Sequence, residues 1–272
     1  MAMIVIASAG LSDIGRKRHS NQDAFLMDDT HGLYVVADGM GGHQAGEVAS
    51  QIVVDSIHQY YAASPPDADQ ETTRHDPSLS PDANRLREAI HYANQKVYQA
   101  AADNKAYQGM GSTLAAVHFS RNTFIAANVG DSPIYLIHEN AIETLSVPHT
   151  LMAEQQEFHP EDQTLFSPDL RHMLTRGMGV EDTVQPDICE SPCFSGDQLV
   201  VCSDGLSGKV TPEEIRAVVA AHSAPDACQK LIGMANQRGG DDNITALVLH
   251  VDTANPLFQR LRHWFGRLTG SN

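Results

Sequence analysis

Apolar residues recur along this chain with two different periods. Residues 3–9, Ala24–Met27 and Gly32–Ala37 are short, apolar and β-leaning, and they predict strands. The last two flank a turn at Asp28-Asp29-Thr30-His31. Beyond Gly41-Gly42 the period lengthens: Ala45, Val48, Ala49, Ile52, Val53, Ile57 and Tyr60 share one side of a helix. Residues 62–82 have no periodicity and are rich in Pro, Ser, Asp and Thr, which predicts a solvated loop. A second helix is expected over about Ala83–Asn104. Thr113–Phe119, Thr123–Val129, Ile134–His138 and Ala141–Leu145 predict four consecutive antiparallel strands with tight turns, a meander. Residues 147–190 read as irregular. Leu199–Cys202 predicts a buried strand, and Thr211-Pro212-Glu213-Glu214 has the form of a capping box with Pro at the first helical position. A last helix is expected over about Asp226–Arg238 and a last strand over Ile244–Val251. Strand-rich halves separated by helices predict an α+β layered fold without an internal repeat.

Charge narrows the function classes. Eighteen basic against 34 acidic residues give a net charge of −16, which argues against general nucleic-acid binding. Part of that excess has a reason if several carboxylates face metal ions. The 272 residues suffice for a sizeable core. Cys189, Cys193, Cys202 and Cys228 contain no Cys-x-x-Cys pair, so a zinc site is not expected and reduced thiols are. The first residues lack the pattern of a secretory signal, and no apolar run reaches the roughly 18 residues needed to cross a bilayer. A cytoplasmic protein without a transmembrane segment is the expectation.

Chemistry concentrates in short motifs spread over nearly the whole length. Asp38 stands in Val-Val-Ala-Asp38-Gly39-Met40-Gly41-Gly42-His43, and Asp131 in Asn128-Val129-Gly130-Asp131-Ser132. Asp204 stands in Cys202-Ser203-Asp204-Gly205-Leu206, and Asp242 in Gly239-Gly240-Asp241-Asp242-Asn243-Ile244-Thr245. Carboxylates at strand ends, beside glycines that allow close approach, suit hard divalent cations such as Mg²⁺ or Mn²⁺. Arg18-His-Ser-Asn-Gln-Asp23 adds a cation and a fifth carboxylate near the start.

In this order the motifs, with Gly109-Met110-Gly111-Ser112-Thr113, resemble the bacterial metal-dependent protein phosphatases, the PPM or protein phosphatase 2C family. The resemblance runs from about Ser12 to Val251. It implies a four-layer α-β-β-α sandwich: two antiparallel sheets face to face, flanked by helix pairs, with metals at one edge. It implies that Asp38 bridges two core ions with the Gly39 carbonyl beside it. Asp204 and Asp242 hold the second ion, and Asp23 lies near the first. Asp131, with Asp204, holds a weaker third. Arg18 clamps phosphate, with Arg16 and Lys17 as nearby rivals. Asp241 receives no role. There are departures from the family pattern. Met40 stands where some relatives carry a His, Pro133 stands where Arg often follows Gly-Asp-Ser, and Pro148-His149-Thr150 replaces Asp-His-Ser. His43 and His149 are further polar candidates.

The implied activity is a protein serine/threonine phosphatase. Water activated on a binuclear Mn²⁺ or Mg²⁺ centre hydrolyses phosphoserine and phosphothreonine, opposing a bacterial Ser/Thr kinase. Small stand-alone members also serve beside secretion-system kinases. The rivals are a pseudophosphatase binding module on the same fold and a metal-dependent hydrolase of small phosphoesters. The expected organisation is a monomeric catalytic domain over 1–252, with a flap at about 147–190, and a basic amphipathic tail over 253–272. In that tail Leu257, Phe258, Leu261, Trp264, Phe265 and Leu268 recur at helical spacing, opposite Arg260, Arg262, His263 and Arg267. The stripe suits packing on the catalytic domain, or docking to a partner protein or an anionic membrane.

Overall fold

The computed structural model describes residues 4–42, 45–63, 76–158 and 173–253. Strands are β1 (Ile4–Asp13), β2 (Asp23–Asp28), β3 (Leu33–Met40), β4 (Gly111–Ser112), β5 (Leu114–Ser120), β6 (Thr123–Val129), β7 (Ile134–His138), β8 (Ala141–Thr144), β9 (Asp187–Pro192), β10 (Gln198–Cys202) and β11 (Ile244–Thr253). Helices are α1 (Ala45–Ala63), α2 (Pro81–Asp103), α3 (Leu151–Phe158), α4 (Asp204–Ser207), α5 (Pro212–Ala221) and α6 (Ala224–Gln237). One sheet runs β1-β11-β10-β7-β8; the other runs β2-β3-β5-β6-β9, with β4 paired to β3. The pairings are antiparallel.

Alternation along the strands explains the layers. On β3, Leu33, Val35 and Ala37 pack with α1 and α2 residues such as Ile57 and Leu86. Tyr34 and Val36, on the other face, meet Leu199, Leu247 and Leu249 of the opposite sheet. The outer face of that sheet, with Val200, Ala246 and Val248, packs on Ile215, Leu231 and Ile232 of α5 and α6. Strands buried on both faces need apolar residues at nearly every position, which is why these runs are continuous rather than alternating. The four-layer sandwich is therefore present.

Local signals set the helix starts. Ser80 caps α2, its Oγ accepting from the Ala83 N–H at 3.1 Å. Thr211 and Glu214 complete the capping box of α5 in both directions. The loop expected at 62–82 is shorter at both ends, because α1 reaches Ala63 and α2 begins at Pro81. Its residues 64–75 lie outside the described residues, as do His43 and, after Thr253, the C-terminal tail.

Two expectations are corrected. The meander breaks after β6: β5 and β6 belong to one sheet, β7 and β8 to the other. The chain crosses between them at Gly130, whose φ is +96° and where a Cβ would lie 2.8 Å from Thr113. A short polar break reads the same whether it closes a hairpin or changes sheet. Besides β8, the partner of β7 is β10, over sixty residues away, and no local pattern names it. Residues 147–190 are also not irregular throughout. They contain α3 and the edge strand β9, paired to β6, whose Asp-Ile-Cys-Glu-Ser-Pro sequence carries too few apolar residues to announce a strand.

Candidate active site

The carboxylates gather where the two sheets end side by side. In the β2–β3 register Asp23 is opposite Asp38. Like charges in that position repel. Asp23 Oδ2 accepts from Ser203 Oγ and from Thr245 Oγ1, each at 2.7 Å, while its Oδ1 is buried without a hydrogen-bond partner. Burial, reinforced by Asp204 and Asp242, raises its pKa to about 6 against the pull of the two hydroxyls. Asp38 is pushed well above the usual carboxylate range by burial and by Asp23, Asp204, Asp242 and Asp131. Its backbone is clamped: the N–H donates to Thr113 Oγ1 (3.0 Å), and the carbonyl accepts from Thr113 N–H (2.8 Å) and Ser112 Oγ (3.0 Å).

Gly39 follows, where α1 packs against the strand end. A Cβ there would lie 2.0 Å from the Gly46 carbonyl oxygen. Asp204 opens α4 directly after β10, and Asp131 sits in the β6–β7 crossover. Asp242 precedes β11, with Oδ1 accepting from Asn243 N–H at 2.8 Å and Oδ2 from Arg18 Nη2 at 2.6 Å. The Arg18 guanidinium is held more firmly protonated by that bond and by Asp38 and Asp204. Asn243 ties the Arg18 loop in place: its amide donates to the Ile14 and Ser20 carbonyls, and its carbonyl oxygen accepts from Gln22 N–H.

Arg18, Asp38, Gly39, Asp131, Asp204 and Asp242 line one open cleft of about 540 Å³, faced by residues 173–177 and Val180. Asp23 lies behind Asp38 and does not line it. Arg16 and Lys17 are elsewhere: the Arg16 N–H bonds the Gly240 carbonyl, and Lys17 pairs with Asp241, which also holds Lys209. His149 is buried beneath the crossover. Its Nδ1 accepts from Gly130 N–H at 3.1 Å and its Nε2 meets Asp187 Oδ2 at 3.0 Å. Met40 lines the cleft. A larger hollow of about 850 Å³ on the far side of the 175–180 segment contains neither Arg18 nor the four cleft aspartates, so size does not locate the chemistry.

The donor set fits hard cations. Among the described residues no three His, Cys, Asp or Glu side chains close into a ligand shell by themselves. Mg²⁺-like ions do not need such a shell, since they keep several waters and take few carboxylates each. The partnerless Oδ1 of Asp23, the mutual repulsion around Asp38 and the bare backbone at Gly39 all suit cations between the carboxylates.

Residues 10–247 match the family model for protein phosphatase 2C. The chain belongs to the protein phosphatase 2C family. A serine/threonine phosphatase of Listeria welshimeri is 34% identical over 247 residues, spanning 88% of this chain and 93% of that protein. The solved structure of PppA, a regulatory component of T6SS in Pseudomonas aeruginosa, superposes with a TM-score of 0.77 at 30% identity, covering 92% of this chain and 100% of that one. The catalytic domain of the phosphatase PstP, solved in complex with 2 manganese ions, gives a TM-score of 0.77 at 28% identity, covering 92% and 99%.

Several supports of this phosphatase site escape motif reading. Ser203 and Thr245 hold Asp23, Thr113 holds Asp38, and Asn243 fastens the arginine loop. Their signal was present, since each stands beside or within a motif, but a hydroxyl next to a carboxylate does not reveal which distant aspartate it serves.

Proposed function

We propose that this protein is a Mn²⁺- or Mg²⁺-dependent phosphatase acting on phosphoserine and phosphothreonine in other proteins. The observation that carries the reading is the convergence of Arg18 and four aspartates from separate chain segments on one cleft. Asp38, the Gly39 carbonyl, Asp204 and Asp242 would hold two ions, with Asp23 behind them and Asp131 joining Asp204 at a weaker third. Bound there, divalent cations supply charge for the phosphoryl oxygens and acidify water. Arg18 binds the phosphate and orients it, its forked guanidinium matching the anion. Release from Asp242 frees that guanidinium for substrate. Four carboxylates suited to holding cations, rather than a Ser or Cys paired with a His base, line the described cleft, and we read the attack as direct, by water.

The setting follows from the same reading. Such an enzyme opposes a Ser/Thr kinase and works as a monomer in the cytoplasm. Four free cysteines are consistent with a reducing compartment. No helix among the described residues is long and apolar enough to cross a membrane. The test compares a phosphothreonine peptide with free phosphoserine and sugar phosphates in Mn²⁺. A kcat/KM at least about tenfold higher on the peptide is expected, since contacts beyond the phosphate add binding in the transition state. Preference for the small esters would overturn the assignment.

A further inference from the structure

The cleft has two unlike halves. One is Arg18 with the four aspartates; the other is apolar, made by Met40, Met173, Leu174 and Val180. Eight large hydrophobic side chains are exposed among the described residues, and Val180, at 57%, is the most exposed of them. Met173, at 51%, is another, so two of the eight fall on the wall of this one cleft. Apolar surface left in water contributes nothing to folding, and where it adjoins a substrate cleft it marks a contact surface.

The apolar half is built rather than incidental. A Cβ at Gly177 would lie 2.5 Å from Met40 Cε and 3.1 Å from Val180 Cγ2. A Cβ at Gly111 would lie 2.7 Å from the same Met40 atom and 3.2 Å from the same Val180 atom. Met40 and Val180 therefore lie together over bare backbone from two different segments. Met40 comes two residues after Asp38, so this platform begins at the edge of the carboxylate cluster. The nearest cation of the wall, Arg176, is engaged by Asp187 at 3.2 Å and by the Gln185 carbonyl at 3.5 Å.

We infer that Met40, Met173 and Val180 form a subsite for an apolar side chain next to the phosphorylated residue of a peptide substrate. This rests on the phosphatase reading above. The phosphate occupies the charged half, and the neighbouring residue of the peptide lies over the platform. Methionine side chains adapt to several apolar shapes, so the subsite selects a class of residue rather than one. A small phosphate ester fills only the charged half and gains nothing from the platform.

The test uses two phosphothreonine peptides that differ only in carrying Leu or Gln on both sides of the phosphothreonine, assayed with Mn²⁺. The wild-type protein is expected to show kcat/KM about tenfold higher for the Leu peptide, the scale at which an apolar pocket discriminates. In the double variant Val180→Thr, Met173→Gln, which keeps side-chain size at two exposed positions, the ratio is expected to fall to within about twofold. Gly177→Ala, which drives a methyl group into Met40 and Val180, is expected to lower the ratio independently. A wild-type ratio near one, or a ratio unchanged in the double variant, overturns the subsite and leaves the phosphatase assignment standing. Failure of the wild type to hydrolyse either peptide overturns both.

Discussion

Asp23 and Asp38 face each other across a hairpin, and most of the chemistry follows from that pairing. Two carboxylates in register, partly shielded from water, are unfavourable by themselves. Ser203 and Thr245 relieve one of them, and on the proposed reading divalent cations would offset the rest. The motifs that carry Asp38, Asp131, Asp204 and Asp242 are weak one by one and were legible as a set, because each couples a carboxylate to a glycine or a strand end and their order along the chain matches the family's. Arg18 was legible only by its distance from Asp23, and the structure sets it apart from Arg16 and Lys17 by what each touches. Arg18→Ala is expected to raise KM about tenfold to a hundredfold, as loss of a charge-assisted contact of about 1.5–3 kcal/mol implies. Steady-state kinetics on a phosphopeptide check this, and the same effect from Arg16→Ala instead would reassign the clamp. Asp131→Asn is expected to lower turnover on phosphoprotein while calorimetry still finds two tightly bound Mn²⁺. Loss of every bound ion in that variant would make Asp131 a core ligand.

The β6–β7 crossover is the element on which sequence reading failed most instructively. Period and turn residues identified all four strands from Thr113 to Leu145 but not which sheet each joins. Sheet membership depends on long-range partners such as β10, whereas hydrophobic period reports only local burial. The longer helices were legible because their information is local, in the apolar period of α1 and the Thr211 capping box of α5, whereas the Ser80 cap fell inside the expected loop and α3 inside the stretch read as irregular. His149 shows how the crossover is fastened. It is 2% exposed in its side chain, exchanges backbone and ring hydrogen bonds with Gly130, and reaches Asp187 at the start of β9. Because Nδ1 accepts from an N–H, the ring is neutral with its proton on Nε2, in keeping with a pKa lowered by burial. His149→Ala leaves the buried Gly130 N–H without that partner. It is expected to cost about 1–3 kcal/mol of stability in urea unfolding. It should also lower turnover through the displaced Asp131 turn. A stability equal to wild type would show that the bridge is not what holds the crossover.

The whole sandwich places its acidic edge between two sheets, so folding is linked to the protonation of that edge and, on the proposed reading, to ion binding there. Without divalent ions, folded Asp23 keeps its proton up to about pH 6, whereas an ordinary Asp releases it near 3.8. The folded state thus binds more protons than the unfolded state between those values, and stability falls as pH rises through that window. The deficit is complete above it. In chelator, Tm is expected to drop between pH 4 and 6.5, and Asp23→Asn, which has no proton to lose, should make that drop shallower. An unchanged slope in the variant would remove Asp23 as its source. The central claim is that this carboxylate edge is a metal-dependent phosphatase centre. It is tested most directly by following phosphothreonine-peptide hydrolysis in chelator and after Mn²⁺ is restored, for the wild type beside Asp38→Ala. The wild type should fall silent in chelator and recover with Mn²⁺. Asp38→Ala should stay lower by at least about 10²–10³-fold, as loss of a main electrostatic stabiliser implies, with its circular dichroism unchanged. Turnover that persists in chelator, or an Asp38→Ala protein that matches the wild type, would contradict the account.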